Sequence, residues 1–129
     1  ANLIAGHVRG QVGEDIVVAL VSGGTILVRA DGRPIALQSP VQIMVRPEDI
    51  DVLKGHCDDP EHVAFQGEVA EAVYLGDSTK LVVAVSGGTL TAKLPGRRGT
   101  EFRHGDAVTA CWTRSATRIL SASVTEAIG

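Results

Sequence analysis

The chain has 129 residues, of which 44% are hydrophobic and 21% are charged. That balance provides enough apolar surface for a buried core and excludes a disordered polar chain. The formal net charge of −3 argues against nucleic-acid binding, because such affinity needs a broad positive surface. No apolar run approaches the roughly 20 residues that a membrane-spanning helix requires. The chain starts without Met and enters a strand-like pattern at once, so we expect it to be a piece of a longer protein.

Short runs rich in Val and Ile, separated by Gly or Pro, predict an all-β protein. Gly-Gly pairs at 23–24 and 87–88 predict two tight hairpins, because glycine adopts the positive φ that such turns need. A single helical turn is predicted at 46–50, where Pro47 suits the first helical position. In chain order, the predicted strands lie near residues 3–10, 15–21, 25–30, 41–46, 66–74, 80–86, 89–94 and 106–112.

The sequence repeats itself once. The string VVALVSGGT at residues 17–25 recurs as VVAVSGGT at residues 82–89, with one residue deleted. The other short strings that the two halves share occur in the same order in both halves. A period near 64 residues is too long for a solenoid, and it predicts a duplicated barrel-like unit of four or five strands. We therefore divide the chain into a first OB-like repeat at 1–53, a polar connector at 54–62, a second OB-like repeat at 63–124 and a tail at 125–129.

The two cysteines lie in contrasting surroundings. Cys57 belongs to the polar connector and Cys111 to an apolar run, which favours two free thiols over the single disulfide that two cysteines allow. The connector also contains the one group of metal-capable side chains in the sequence, but its spacing matches no standard zinc pattern. We predict no metal site there and no catalytic residue in the chain; the group is His56, Cys57, Asp58, Asp59 and His62.

Three strings of residues, taken together, carry a family resemblance. They are VRPEDI at 45–50, VYLGDST at 73–79, and GDAV at 105–108 leading to Trp112. The chain resembles the TOBE (transport-associated OB) domains, which lie at the C-terminal end of the ATP-binding subunits of ABC importers. The resemblance covers roughly residues 2–120 and is strongest to the polyamine and ferric-iron branches.

This resemblance implies an all-β fold of two tandem OB-like β-barrel repeats sharing strands. It implies a non-catalytic role in regulation and dimerisation of the subunit, in the cytoplasm at the inner face of the cell membrane. The implied partners are a nucleotide-binding domain of the same chain, a second copy of the subunit and, through the parent protein, the membrane permease subunits, with no nucleic acid. The alternative function is a free-standing module that binds a small oxyanion of the molybdate type.

No cofactor is expected in this chain. It lacks the G-x-x-x-x-G-K-[ST] loop whose backbone amides and Lys hold phosphates, and the nearest string, GRRGT at 96–100, has the wrong spacing. The resemblance implies that ATP and Mg²⁺ bind in the nucleotide-binding domain of the parent subunit, and the chain itself is not expected to be an enzyme.

Arg46 and Glu48 are the first candidates for regulatory or ligand contacts. They flank Pro47, whose fixed φ starts a tight turn. The two charges either pair with each other or with the adjoining repeat, or they contact a partner protein or a small effector. In the second repeat the corresponding residues 113–115 are Thr-Arg-Ser, so the carboxylate is missing there.

Asp77, Ser78 and Thr79 are the remaining candidates. They follow Gly76, so a carboxylate and two hydroxyls share one flexible turn. This combination either binds a small polar ligand or satisfies its own backbone groups, since short polar side chains commonly hydrogen-bond to the turn that carries them.

Overall fold

The computed structural model describes residues 1–30 and 35–122, so the predicted tail at 125–129 lies outside the described residues. The predicted all-β class is confirmed: the described residues form strands joined by turns and three short 3-10 helices. The strands are β1 (Asn2–Val12), β2 (Asp15–Leu20), β3 (Thr25–Arg29), β4 (Pro40–Val45), β5 (Asp51–Leu53), β6 (His62–Tyr74), β7 (Ser78–Val85), β8 (Gly88–Pro95), β9 (Ala107–Thr113) and β10 (Arg118–Ala122). The 3-10 helices are η1 (Pro47–Asp49), η2 (Arg98–Glu101) and η3 (Arg114–Ala116).

The strands form two five-stranded sheets. The first sheet has the order β10-β4-β1-β2-β3 and the second has the order β5-β9-β6-β7-β8. Strands β2, β4 and β8 bury alternate residues, as half-buried strands do, whereas β9 is buried on both faces from Val108 to Trp112. The buried apolar residues form the cores. In the first sheet these residues include Val8, Ile16, Val18, Val28, Ile43 and Val45, and in the second sheet they include Leu81, Val83, Leu90, Leu94, Val108 and Trp112.

The sheets belong to two compact units that do not follow the two halves of the sequence. The first unit comprises Leu3–Val45 and the described residues from Arg114 onward, and the second comprises Ala1–Asn2 and Arg46–Thr113. Strand β5, which precedes the connector, therefore pairs with β9, and strand β10, at the far end of the chain, pairs with β4. The predicted sharing of strands is confirmed, while the repeat boundaries at 1–53 and 63–124 remain a prediction.

Both units contain the same local irregularities. The β1–β2 pair has a register shift between Val8 and Gly10, and the β6–β7 pair has one between Val69 and Glu71. Such bulges increase the twist of a strand and help a sheet to curve. The recurrence of the bulge at matching positions of β1 and β6 agrees with a duplicated unit.

Glycine at position 67 is required by a close backbone approach. Gly67 lies opposite Val85, and a Cβ built there would collide with the carbonyl oxygen of Ala84. We expect Gly67→Ala to lower the free energy of unfolding by about 1–3 kcal/mol, because the strand must shift to admit the methyl group. Urea denaturation measures this loss. Gly55→Ala is the matched control, since a Cβ there meets no atom within 4 Å, and an equal loss in both variants would contradict the explanation.

Candidate functional site

A surface cavity of about 310 Å³ in the second unit is lined by charged side chains from three segments. Glu48 comes from η1, Asp77 and Ser78 come from the turn that enters β7, and Lys93 comes from β8 beside Pro95. We call this the Glu48–Asp77 cavity. It brings together residues that lie up to 47 positions apart in the sequence, because β7 pairs with β8 and η1 packs against β8.

The short helix η1 presents Glu48 to solvent. Pro47 occupies its first turn, the Asp49 N–H donates to the Arg46 carbonyl at 3.0 Å, and the Ile50 N–H donates to the Pro47 carbonyl at 3.3 Å. Ile50 is buried and anchors the end of the turn. The predicted single helical turn at 46–50 is therefore present, and it leaves the Glu48 carboxylate exposed at the cavity.

The turn before β7 satisfies much of its own hydrogen bonding. Gly76 has a φ of 99°, which an L side chain rarely adopts. The Leu75 N–H donates to the Ser78 carbonyl at 2.8 Å, and the Ser78 hydroxyl donates to the Asp77 carboxylate at 3.2 Å. The Gly96 N–H donates to the Asp77 carbonyl at 2.8 Å and joins this turn to the end of β8. These bonds hold the Asp77 carboxylate at the rim of the cavity.

The charges around the cavity are mixed. Two carboxylates, Glu48 and Asp77, and one ammonium group, Lys93, line it, and all three side chains are exposed. Such a site suits a small polar ligand with a positive group for the carboxylates and an acceptor for Lys93. A doubly charged anion is disfavoured, because it would face two carboxylates across one ammonium group.

Two of the predicted site residues lie elsewhere. Arg46 is exposed, is not part of the cavity lining, and forms no ion pair with Glu48 within the described part of the chain. Thr79 is 2% exposed and packs against η2, where a Cβ on Gly99 would collide with the Thr79 side chain. The structure therefore assembles Glu48, Asp77 and Ser78 at one site and separates Arg46 and Thr79 from it.

Lys93 is a cavity residue that the sequence did not indicate. It occupies an outward position of the predicted strand 89–94, where a charged residue is the ordinary choice for a solvated face. Only the pairing of β8 with β7, together with the packing of η1, shows that its ammonium group belongs beside two carboxylates. No local motif carries that information.

A second cavity, of about 340 Å³, lies beside the connector. The Gln66 side chain amide and the His56 ring contact each other there, with 3.3 Å between Gln66 Nε2 and His56 Nδ1. Within residues 1–30 and 35–122, the His, Cys, Asp and Glu side chains form no group of three or more that could hold a metal ion. Over the same ranges, no helix is long and apolar enough to cross a membrane.

The sequence relatives of this chain include two spermidine/putrescine import ATP-binding proteins. The chain is 32% identical over 127 residues to a spermidine/putrescine import ATP-binding protein, PotA 2, of Pseudomonas aeruginosa, which covers 94% of this chain and 34% of that protein. It is 35% identical over 114 residues to the spermidine/putrescine import ATP-binding protein PotA of Rubrobacter xylanophilus, which covers 86% of this chain and 29% of that protein. The chain thus spans about a third of the length of these relatives.

The fold is also that of a solved structure. The cytoplasmic molybdate-binding protein ModG, crystallised with molybdate bound, superimposes with a TM-score of 0.81 over 92% of this chain and 94% of that one. The sequence identity is 14%, so this similarity concerns the fold of two OB-like barrels alone. The family model of the TOBE domain matches residues 43–120. This match covers more than half of the chain, and the chain therefore belongs to the TOBE domain family.

Proposed function

We propose that this chain is the regulatory and dimerisation domain of the ATP-binding subunit of an ABC-type importer. The proposed solute of this importer is a polyamine, and ferric iron is the second candidate solute. The observation that carries the proposal is the alignment of 94% of the chain with one third of a spermidine/putrescine import ATP-binding protein. Since the chain corresponds to only part of such a protein, the remainder would supply ATP binding.

In this proposal the chain itself is not catalytic and holds no cofactor. A nucleotide-binding domain of the same parent chain would bind ATP and Mg²⁺, and the assembled transporter would place the domain in the cytoplasm beside the membrane permease subunits. A second copy of the subunit completes the proposed assembly. The contribution of the TOBE domain is then a rigid β scaffold that presents surface groups to a regulator, and we propose the Glu48–Asp77 cavity as the site of that contact.

The test uses the complete importer, with the parent subunit, its permease partners and its solute-binding component in proteoliposomes. We expect Glu48→Gln combined with Asp77→Asn to change, several-fold, the solute concentration that gives half-maximal ATP hydrolysis. The KM for ATP is expected to stay unaltered. This split is expected because the removed charges belong to a regulatory site and not to the nucleotide site. Steady-state ATPase assays at varied solute and ATP concentrations measure both effects.

Glu68→Gln is the matched control for this experiment, because Glu68 is an exposed carboxylate of the same unit outside the cavity. If Glu68→Gln changes the solute dependence of ATP hydrolysis as much as the double variant does, the Glu48–Asp77 cavity is not the regulatory site. A loss of ATP binding in the double variant would contradict a purely regulatory role for the domain.

The alternative function is an oxyanion-binding module of the molybdate type, and the fold that the chain shares with ModG is its support. The charges of the Glu48–Asp77 cavity favour a cationic group over a divalent oxyanion. Isothermal titration calorimetry of the chain with molybdate, sulfate and spermidine separates the two functions. Micromolar binding of molybdate or sulfate would favour the alternative, whereas the main proposal predicts no such affinity.

A further inference from the structure

The connector between β5 and β6 lies against one face of strand β9. Alternate residues of a strand face opposite sides of a sheet, so Thr109 and Cys111 lie on the face opposite to Trp112. Gln66 of β6 is paired with Thr109, and the Gln66 side chain contacts His56 of the connector. Thr109 is 4% exposed. The connector therefore passes over the face of the sheet that carries Thr109 and Cys111.

The next connector residue is Cys57, and strand β9 carries Cys111 on the face that the connector covers. Cys111 pairs with Asp51 of β5 on one side and with Ala64 of β6 on the other. Cys111 is 2% exposed, while Cys57 is half-buried, and both are free thiols. The connector leads from His56, which contacts Gln66 opposite Thr109, to His62, which pairs with Thr113, so Cys57 lies along the part of β9 that carries Cys111. The polar and apolar surroundings seen in the sequence thus belong to two residues that are neighbours in space.

Two hydrogen bonds fix the connector just beyond this contact. The Glu61 N–H donates to the Asp59 carboxylate at 2.8 Å, and the His62 N–H donates to the Asp59 carbonyl at 3.1 Å. The His62 ring also lies 3.1 Å from the Asp59 carboxylate. With His56 held against Gln66 on the other side, Cys57 is placed between two fixed points of the chain.

We propose that Cys57 and Cys111 form a reversible disulfide site that joins the connector to β9 under oxidising conditions, with a low-molecular-weight disulfide such as glutathione disulfide as the oxidant. The Cys57 thiolate attacks one sulfur of glutathione disulfide, which releases one glutathione thiolate and leaves a mixed disulfide on Cys57. The Cys111 thiol then loses its proton and attacks the Cys57 sulfur, which releases the second glutathione. Two protein thiols are oxidised and one glutathione disulfide is reduced to two thiols.

The order of these steps follows from the surroundings of the two thiols. Burial, followed by the hydrogen bond to Cys57 and the nearby Asp51 carboxylate, raises the pKa of the Cys111 thiol to about 12. A buried and protonated thiol is a poor first nucleophile, because the thiolate is the attacking species and the reagent must reach it. The half-buried Cys57 therefore reacts first, and Cys111 resolves the mixed disulfide.

The experiment treats the 129-residue chain with glutathione disulfide and follows it by intact mass spectrometry, peptide mapping and thermal unfolding. We expect the product to lose two hydrogen atoms, to carry a 57–111 disulfide, and to revert with dithiothreitol. We expect its Tm to rise by about 5–15 °C, since the disulfide closes a long loop of the unfolded chain.

Two variants test the order of the reaction. Cys111→Ser is expected to stop at the glutathione adduct of Cys57, and Cys57→Ser is expected to form no adduct under the same conditions. Cys57→Ser keeps the experiment informative if the buried substitution does not fold. A wild-type product that remains the mixed disulfide, a disulfide between two chains, or an unchanged Tm after oxidation would each overturn the proposal.

Discussion

Replacing Trp112 by Ala is expected to lower the free energy of unfolding of the second unit by about 3–5 kcal/mol, the usual cost of removing a buried aromatic side chain. Trp112 is 1% exposed, and its ring stacks on that of Phe65 with 5.3 Å between the centroids and 15° between the ring planes. The substitution removes both the buried area and the stacking contact. Urea denaturation followed by far-UV circular dichroism measures the loss, since Trp112 is the only tryptophan and the variant has no indole fluorescence.

Two further variants identify the source of this effect. Trp112→Phe keeps an aromatic ring against Phe65 and is expected to cost less than Trp112→Ala. Phe65→Ala removes the stacking contact from a half-buried position and is expected to cost about 1–2 kcal/mol, because less area is uncovered. A loss for Trp112→Ala no larger than that for Phe65→Ala would show that the ring is not the centre of the core.

Replacing Arg114 by Ala is expected to lower the free energy of unfolding by about 3 kcal/mol, because it leaves a nearly buried carboxylate without its main partner. Arg114 Nη1 lies 2.6 Å from Asp15 Oδ2, and the two side chains are only 15% and 14% exposed. Arg29 is a weaker second partner, with Nε at 3.6 Å from Asp15 Oδ1. Urea denaturation at neutral pH measures the change.

Arg118→Ala is the matched control, since Arg118 has the same charge, lies four residues away and is exposed. It is expected to change stability by less than about 0.5 kcal/mol. Arg114→Lys keeps the charge but not the fork of two donors, so an intermediate loss is expected. If Arg114→Ala and Arg118→Ala behave alike, the ion pair with Asp15 does not stabilise the first unit.

The Arg114 contact also explains why the two repeats differ at this position. The sequence comparison shows Thr-Arg-Ser at 113–115 where the first repeat has Arg46-Pro47-Glu48. Both segments form a 3-10 turn, η3 and η1, that leads into a strand of the other repeat's sheet. In the first repeat the turn presents Glu48 to a cavity, and in the second repeat it uses Arg114 to bind Asp15. The same backbone turn thus carries a surface group in one unit and a structural ion pair in the other.

The fold class was predictable because its signals are local. Alternating Val-rich runs and Gly-Gly turns specify hairpins without any long-range information, and the eight strands predicted from them are all present. Strands β5 and β10 were not predicted, because they are short and pair with partners far away in the sequence. The proximity of Cys57 to the part of β9 that carries Cys111 was missed for the same reason, since it depends on the path of the connector across β9.

The candidate site was predictable only in part. The sequence indicated Glu48, Asp77 and Ser78 from turn chemistry, which is local, but it could not show that separate turns meet at one cavity with Lys93. Thr79 follows Ser78 directly, yet its side chain packs against η2, because successive side chains of strand β7 point to opposite faces of the sheet. Local chemistry indicates the residue types, and the pairing of strands decides which of them act together.

The exchange of strands has a consequence for the order in which the polypeptide acquires its structure. Strand β4 ends at Val45, but its partner β10 starts at Arg118, so a nascent chain leaving the ribosome holds an unpaired edge until nearly all of these residues have been synthesised. Contacts between such distant segments are slow to form, because a long loop must close before any pairing energy is gained. A translation product that ends before β10 would therefore expose the unpaired backbone groups of β4. We expect chaperones and proteases to bind such a product.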